Sequence, residues 1–241
     1  MSERVKSKVK APRPKRRYDS TRRRDQAAAT RRAILDSAQR LFEHGGYAGT
    51  SMADVAREAG VALKTVYLAF DTKSGLMRAV WHRALRGDEG DAPVADRTWY
   101  RAVLEEPDAS RQLARTVENG VLVKRRAGAT MRVIQAAAAS DPDIAALWAR
   151  IQTDFHANQR TILESMAEKR ALRRGLDVDA AADLMWTLNH PTVYWLLVGE
   201  RGWSEERYGK WLEAALREQL FGERPLSRPS SRAVPRRRPR R

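Results

Sequence analysis

The stretch TSMADVAREAGVALKTVYLAFDTK, residues 50–73, constrains this chain more than any other. It holds two short apolar periodicities with a glycine between them. Met52, Val55, Ala56 and Ala59 fall at i, i+3, i+4 and i+7, on one face of a helix. Ser51 takes the N-cap position, and Asp54 three residues on completes a capping-box pattern. Gly60 ends the helix, because a left-handed conformation costs glycine nothing. Leu63, Val66, Tyr67 and Phe70 then repeat the spacing. Two helices joined by so short a turn make a helix-turn-helix or an ordinary hairpin inside a helical bundle. Lys64 and Lys73 bear on that choice. Each falls in the first turn of its expected helix, where the dipole disfavours a cation by about 0.3–1 kcal/mol. A helix N-terminus attracts anions, so lysine there suits a phosphate contact better than it suits stability.

The formal net charge of +16 points the same way, but its placement qualifies it. Residues 1–24 hold 11 basic and 2 acidic residues, and residues 222–241 hold 8 and 1. The two ends therefore carry the whole excess, and residues 25–221 are neutral. Within that body, residues 25–86 are at +3 and residues 87–221 at −3, which makes the first segment the DNA-facing one. Cysteine is absent, so neither a disulfide framework nor a thiolate metal site is expected. No run of 18 apolar residues is present, which leads us to expect a soluble, cytoplasmic chain with no membrane association.

Residues 1–24 lack apolar periodicity and read as a disordered basic arm. Arg22, Arg23 and Arg24, nearest the fold, are its best candidates for phosphate or minor-groove contact. Residues 1–17 equally suit a solvated tail that adds only non-specific affinity. The first folded helix is expected over Asp25–Glu43, with Ile34, Leu35, Ala38, Leu41 and Phe42 as its stripe and Gly45-Gly46 as its end. On a helical wheel the second helix of the motif turns Leu63, Val66, Tyr67 and Phe70 inward, and Lys64, Thr65, Leu68 and Ala69 outward. Thr65 can hydrogen-bond a base edge or a phosphate, and Leu68 and Ala69 can touch thymine methyls. Tyr67 lies at the edge of the stripe, its ring packed and its hydroxyl placed to reach a phosphate or, on a plainer reading, simply a core tyrosine.

From Arg31 to about Trp81 the chain resembles the DNA-binding domain of the TetR family of transcriptional regulators. Thr50, Ser51, Val55, Ala56, Ala59, Gly60, Val61, Thr65, Tyr67, Phe70, Lys73 and Leu76 match that family in type and spacing. The resemblance implies phosphate contacts from Thr50, Ser51, Tyr67 and Lys73, and base contacts from the face carrying Lys64 and Thr65. This chain departs from the pattern at Ala62, where a Ser or Thr cap is frequent, and at Lys64, where glycine is. Ala69 replaces a common Tyr or His, and Leu63 stands at a position that is often polar and base-reading.

A fourth helix is expected over about Thr72–Arg86, then a loop rich in glycine and acidic residues that bounds an effector and dimerisation domain at 87–221. Helical patterns recur at Trp99–Leu104, Ala109–Arg126, Thr130–Ala139, Asp143–Lys169, Val178–Val198 and Glu205–Phe221, with a break at Gly128 and a kink at Pro191. Strand signals are absent, so the fold class is all-α. Residues 222–241 read as a second disordered, Arg/Pro-rich tail. The last two helices are apolar on more than one side, which suits either a two-fold interface or an intrachain core. The family pairs these helices between subunits, which implies a homodimer through Leu184, Leu188, Tyr208, Trp211, Leu212 and Ala215.

No catalytic constellation emerges: the four histidines share no i, i+4 pair, and the serines sit in no nucleophile elbow. No enzyme activity, metal or cofactor is expected. A small-molecule pocket is. Trp148, Phe155, Trp186 and Tyr194 supply apolar bulk, and Gln135, Asn189 and His190 interrupt apolar faces. Any one of those aromatics also reads as plain core, and the pocket is implied mainly by the family, whose members bind an inducer there. The sequence thus points to a ligand-responsive repressor on a double-stranded DNA operator. The competing reading is a sequence-tolerant basic protein whose charged tails dominate binding.

Overall fold

The computed structural model describes residues 18–87 and 94–222. The arm at 1–17, the centre of the loop after residue 87 and the arginine-rich tail lie outside the described residues. Everything regular within them is helical, with no strand. Helices α1 (Tyr18–Gly49), α2 (Met52–Glu58), α3 (Leu63–Phe70) and α4 (Lys73–Arg86) form the N-terminal unit. A 3-10 turn (Val94–Asp96) leads into α5 (Thr98–Leu104), α6 (Ala109–Ala137), α7 (Pro142–Glu168), α8 (Val178–Leu188) and α9 (Pro191–Tyr194). A π-type segment (Trp195–Glu200) joins α9 to α10 (Glu205–Phe221).

α1 departs from expectation at its start, and its other end bends where the Gly45-Gly46 pair predicts. It begins seven residues before Asp25, because Gln26 and three alanines favour continuing the helix. Arg22, Arg23 and Arg24 therefore ride on its first turns instead of an extended arm, and consecutive residues on a helix fan to different sides. At the other end Gly46 takes φ 73°, so the chain bends there before Tyr47 folds back on Phe42 with ring centroids 5.8 Å apart.

Two other expected breaks resolve differently. α6 runs uninterrupted through Gly128, which is buried against Trp195; a Cβ there would lie 3.3 Å from the indole Nε1. The glycine serves close approach between segments, a role that a sequence pattern does not separate from helix breaking. Pro191 does not kink a continuous helix. α8 stops at Asn189, the His190 ring accepts from the Thr192 N–H at 3.2 Å, and Pro191 opens α9 at a position that needs no N–H donor.

Two cores hold the chain. One joins Ile34, Ala38, Phe42, Val55, Val66, Leu76, Met77 and Val80 to Ala127, Ile134, Ile144 and Ile151 of α6 and α7. The other gathers Leu113, Leu163, Met166, Ala182, Met185, Tyr208, Leu212 and Leu216. The first core therefore crosses the domain boundary expected near residue 86. Polar contacts reinforce that junction: Tyr47 Oη donates to Asp141 at 3.0 Å, Ser74 Oγ to Asp143 at 2.8 Å, and Thr130 Oγ1 to Glu43 at 2.6 Å.

Candidate functional site

The helix-turn-helix is built by its caps. Ser51 Oγ accepts from the Asp54 N–H at 3.1 Å, and Asp54 Oδ2 accepts in return from the Ser51 N–H at 3.0 Å. At the far end Gly60 takes φ 66°, its N–H reaches Arg57 O, and the Val61 N–H reaches Ala56 O at 3.0 Å. That pair is a Schellman closure, and it fixes how the chain leaves α2. α3 has no side-chain N-cap at Ala62, but Arg31 of α1 secures its last turn: its guanidinium donates to Ala69 O at 3.2 Å and lies 4.4 Å from the centroid of the Phe70 ring.

α3 buries only Val66 and Phe70. Leu63, Tyr67 and Leu68 are 42%, 49% and 79% exposed, and Lys64 and Ala69 are exposed beside them, with Thr65 half-buried. This corrects the wheel, which sent Leu63 and Tyr67 inward. An eight-residue helix resting on two neighbours needs only a narrow stripe, so the flanks of that stripe stay in water. The outward face is broader and more apolar than expected, and an exposed apolar cluster of this kind marks a binding surface.

Two expected phosphate ligands are engaged elsewhere. Thr50 is 4% exposed, and its hydroxyl donates to Gly46 O at 2.9 Å and Leu41 O at 3.1 Å. It ties the α1 bend to the start of α2. The Lys73 ammonium lies 4.2 Å from the Tyr47 ring centroid, and burial pulls its pKa down against the attraction of Asp141. Ser51 is exposed, with its hydroxyl donating to Asp54 at 2.6 Å, so a carboxylate of the chain already occupies this helix start. Asp54 is in turn held below the usual carboxylate range by hydrogen bonds from Ser51 and then Arg57.

A second site lies between α4, α5, α6, α7 and the Asn189–Pro191 junction. It is a cavity of about 470 Å³, walled by Trp81, Trp99, Tyr100, Val103, Met131, Phe155 and Ile162, with Thr116, Asn119, Lys124, Gln159 and Asn189 as polar points. Of the residues expected in a pocket, Phe155 and Asn189 line it. Five do not. Gln135 is exposed on the outer side of α6, and Trp148 packs on the first core. Trp186 stacks edge-on with His190 at 4.9 Å, and His190 is held by Gln152 at 3.2 Å and caps α9. Tyr194 is buried in the second core, donating to Glu205 at 2.8 Å. All five sit on the right helices, but facing neighbours whose positions the sequence does not specify.

The cavity wall also holds what the sequence reading missed. Lys124 is 5% exposed, and its Nζ donates to Asn189 Oδ1 at 2.5 Å and, at a long 3.5 Å, to Gly120 O. Burial brings its pKa down to about 7. Gly120 makes room for the pair, since a Cβ there would press on Asn189 Oδ1 at 3.2 Å and Lys124 Nζ at 3.4 Å. Gln159 keeps a buried Oε1 with no partner among the described residues. The signal available in the sequence was a lysine four residues after Gly120 on a face otherwise apolar. Beside the cavity, Arg126 of α6 clasps the end of α4, its Nε donating to Ala84 O at 2.6 Å and its Nη2 to Leu85 O.

On the opposite side, Leu184, Leu188 and Ala215 line a shallow groove between α8 and α10. Tyr208 and Leu212, expected in a dimer interface, are instead fully buried within the chain, and half-buried Trp211 stacks against Trp203 and Tyr208. Among the described residues no helix is long and apolar enough to cross a membrane.

Residues 34–80, which span most of α1–α4, match the family model of bacterial regulatory proteins of the tetR family. The HTH-type transcriptional regulator AcrR of Shigella flexneri is 40% identical over 58 residues, 24% of this chain and 27% of that protein. In such matches the chain spans about a quarter of the length of its curated relatives. The HTH-type transcriptional regulator EthR of Mycobacterium tuberculosis is 25% identical over 172 residues, 70% of this chain and 76% of that protein. A putative transcriptional regulator from Saccharomonospora viridis, solved in complex with choline, superposes with a TM-score of 0.62 at 21% identity, covering 79% of this chain and 96% of that one. That last likeness is one of fold. The capped helix-turn-helix is thus the segment that matches the tetR family of bacterial regulatory proteins, and the helical body that follows it shares its fold with a solved regulator.

Proposed function

We propose that this protein is a sequence-specific DNA-binding repressor in the cytoplasm, released from its operator by a small molecule, and not an enzyme. The observation that carries the reading is the outward face of α3, where Leu63, Lys64, Tyr67 and Leu68 stand in water on a helix whose last turn Arg31 holds. Such a face suits the major groove: Lys64 and the Tyr67 hydroxyl reach phosphates or base edges, and the leucines meet thymine methyls. Thr65 and Ala69 complete it, with Arg22, Arg23 and Arg24 on α1 as further phosphate contacts. A second copy, docked through the α8–α10 groove, would place two such helices on successive grooves of a near-palindromic site.

The cavity is the effector site in this reading, and α4 is the link. Trp81, His82, Leu85 and Arg86 of α4 form part of its wall, and α4 begins directly after α3. A ligand shifts the protein only by binding one arrangement of α4 more tightly than another. The solved regulator that holds choline supports a small-molecule effector as the kind of ligand to look for.

The test is to sequence the genomic DNA that the protein retains at physiological salt, then to titrate salt against that DNA and random DNA. The expected result is one recurring, near-palindromic site and a specificity ratio that survives removal of residues 1–17 and 223–241. Retention without a recurring site, falling equally on random DNA as salt rises, would leave only binding driven by the charged ends.

A further inference from the structure

The cavity contains a buried ammonium that no carboxylate among the described residues pairs with. Lys124 has three N–H donors. Asn189 Oδ1 takes one, and Gly120 O takes another only at 3.5 Å. Its other close neighbour is the Tyr208 ring, 5.6 Å away. A charge taken out of water without a counter-ion is strongly disfavoured, and the acceptors that Lys124 has are neutral oxygens. Gln159, 3% exposed, adds a second buried polar point on the same wall.

Resting on the effector reading above, we propose that the cavity takes an organic acid: a monoanionic, carboxylate-type head paired with Lys124, and an apolar body lying among Trp81, Trp99, Met131, Phe155 and Ile162. The alternatives fit the charge balance less well. A cationic ligand would place two like charges in one dry space. A dianionic phosphate would leave a surplus charge, since Lys124 is the buried ammonium and Arg150 of the same wall already pairs with Asp154 at 2.9 Å. A neutral apolar ligand would bury the ammonium still deeper without pairing it. The volume of about 470 Å³ falls within the range of roughly 300–1,000 Å³ usual for small-molecule sites.

Proton linkage follows from the same geometry. Burial brings the Lys124 pKa down to about 7, and a bound anion raises it, so binding above neutrality takes up a proton. Other titratable or charged groups face Lys124 or share its cavity. Its charge acts on His190, the Tyr208 ring lies 5.6 Å from it, and His82 and Arg86 of α4 and Arg150 and Asp154 of α7 line the same wall. The control for their contribution is Lys124→Met, which removes only the ammonium and keeps the length of the side chain.

The experiment uses the full chain and a series of straight-chain carboxylates from hexanoate to tetradecanoate, with the alcohol and the trimethylammonium of matching length. Binding is followed by tryptophan fluorescence, since Trp81 and Trp99 are in the wall, and by calorimetry in buffers of different ionisation enthalpy. At least one carboxylate is expected to bind about tenfold or more tighter than its alcohol, with the trimethylammonium weakest, and with proton uptake at pH 8. In Lys124→Met the preference for the acid and the proton uptake both disappear, while the alcohol binds at least as well. Lys124→Gln, which keeps a donor for Asn189, guards against a folding defect and is expected to lose the preference too. Equal or tighter binding of the alcohol by the wild type, survival of the acid preference in Lys124→Met, or no binding by any chain length overturns the proposal. Operator release separates this inference from the reading beneath it. If alcohols bind and release DNA, the effector site stands and the acid falls. If acids bind as expected but never release DNA, the ligand class stands and the effector role falls.

Discussion

Thr50 and Tyr67 are both expected from the sequence to contact phosphate, and their surroundings give them opposite behaviour. Thr50→Val removes a buried hydroxyl that donates to Gly46 O and Leu41 O, and is expected to destabilise the fold by about 1–3 kcal/mol in urea denaturation. Tyr67→Ala removes a half-exposed ring that no core needs. It should leave stability within about 0.5 kcal/mol and reduce operator affinity tenfold or more in a gel-shift titration. Wild-type operator affinity in Tyr67→Ala would remove α3 from the interface. Lys124 yields a pH-dependent prediction. Its pKa is about 7 folded and 10.5 ordinarily, so between those values the unfolded chain binds more protons and stability rises with pH. The cost of burying the charge is fully present below about pH 7 and absent above 10.5. Lys124→Met should therefore be more stable than the wild type near pH 7.5 by a margin that shrinks towards pH 9.5. His190, with a pKa lowered by burial and then by Lys124, stays neutral across that window. A margin independent of pH would show that the ammonium is not buried in solution. The sequence displayed the residue types at all three positions. It did not display their burial, because whether a threonine faces water or a bent helix end depends on Gly46, and whether a lysine is solvated depends on α10 and the α8–α9 junction.

At the scale of elements, local chemistry was legible wherever it acts within a few residues. The Ser51–Asp54 capping box and the glycine stop at Gly60 follow from spacing, and both form as read. Where a residue answers to a distant segment, the same reading fails. Gly128 looks like a helix stop, but its lack of a side chain admits Trp195, which lies 67 positions further along the chain. Pro191 looks like a kink, but with His190 as cap it starts a helix. Gly87 belongs to both kinds. It ends α4 at φ 77°, as a C-terminal glycine should, and a Cβ there would run into the Arg126 guanidinium that clasps Ala84 O and Leu85 O. Gly87→Ala therefore carries two costs, left-handed strain and a displaced clasp. It is expected to lower stability by about 1–3 kcal/mol and to change the effector concentration needed for operator release, because α4 is the wall through which the cavity reaches α3. Arg126→Lys tests the clasp without the strain: one ammonium cannot serve both carbonyls in the planar geometry a guanidinium gives. If Gly87→Ala is destabilised but Arg126→Lys shows an unchanged effector response, the end of α4 contributes stability and not coupling.

At the scale of the molecule, composition and charge suggested two domains divided near residue 86, but the packing joins them. The core around Phe42 and Val80 continues into Ala127, Ile134, Ile144 and Ile151, and Tyr47–Asp141, Ser74–Asp143 and Thr130–Glu43 bridge the same seam. Two of those bridges, and the Lys73 ammonium over Tyr47, meet the start of α7, where Asp141 also caps the helix by accepting from Asp143 and Ile144 N–H groups. The α1–α4 unit is therefore packed as part of the whole: isolating it would expose the faces that α6 and α7 cover and remove the Thr130, Asp141 and Asp143 partners of Glu43, Tyr47 and Ser74. Two outcomes follow. The intact chain should melt in one calorimetric transition with matching calorimetric and van't Hoff enthalpies, and a fragment ending at residue 87 should lack cooperative unfolding. In the proposed mechanism, a cavity ligand that moves α4 would disturb the same packed seam that orients α3. Two resolved transitions, or a fragment that folds and binds operator unaided, would mean that the seam is a weak contact and that any effector signal travels through α4 without it.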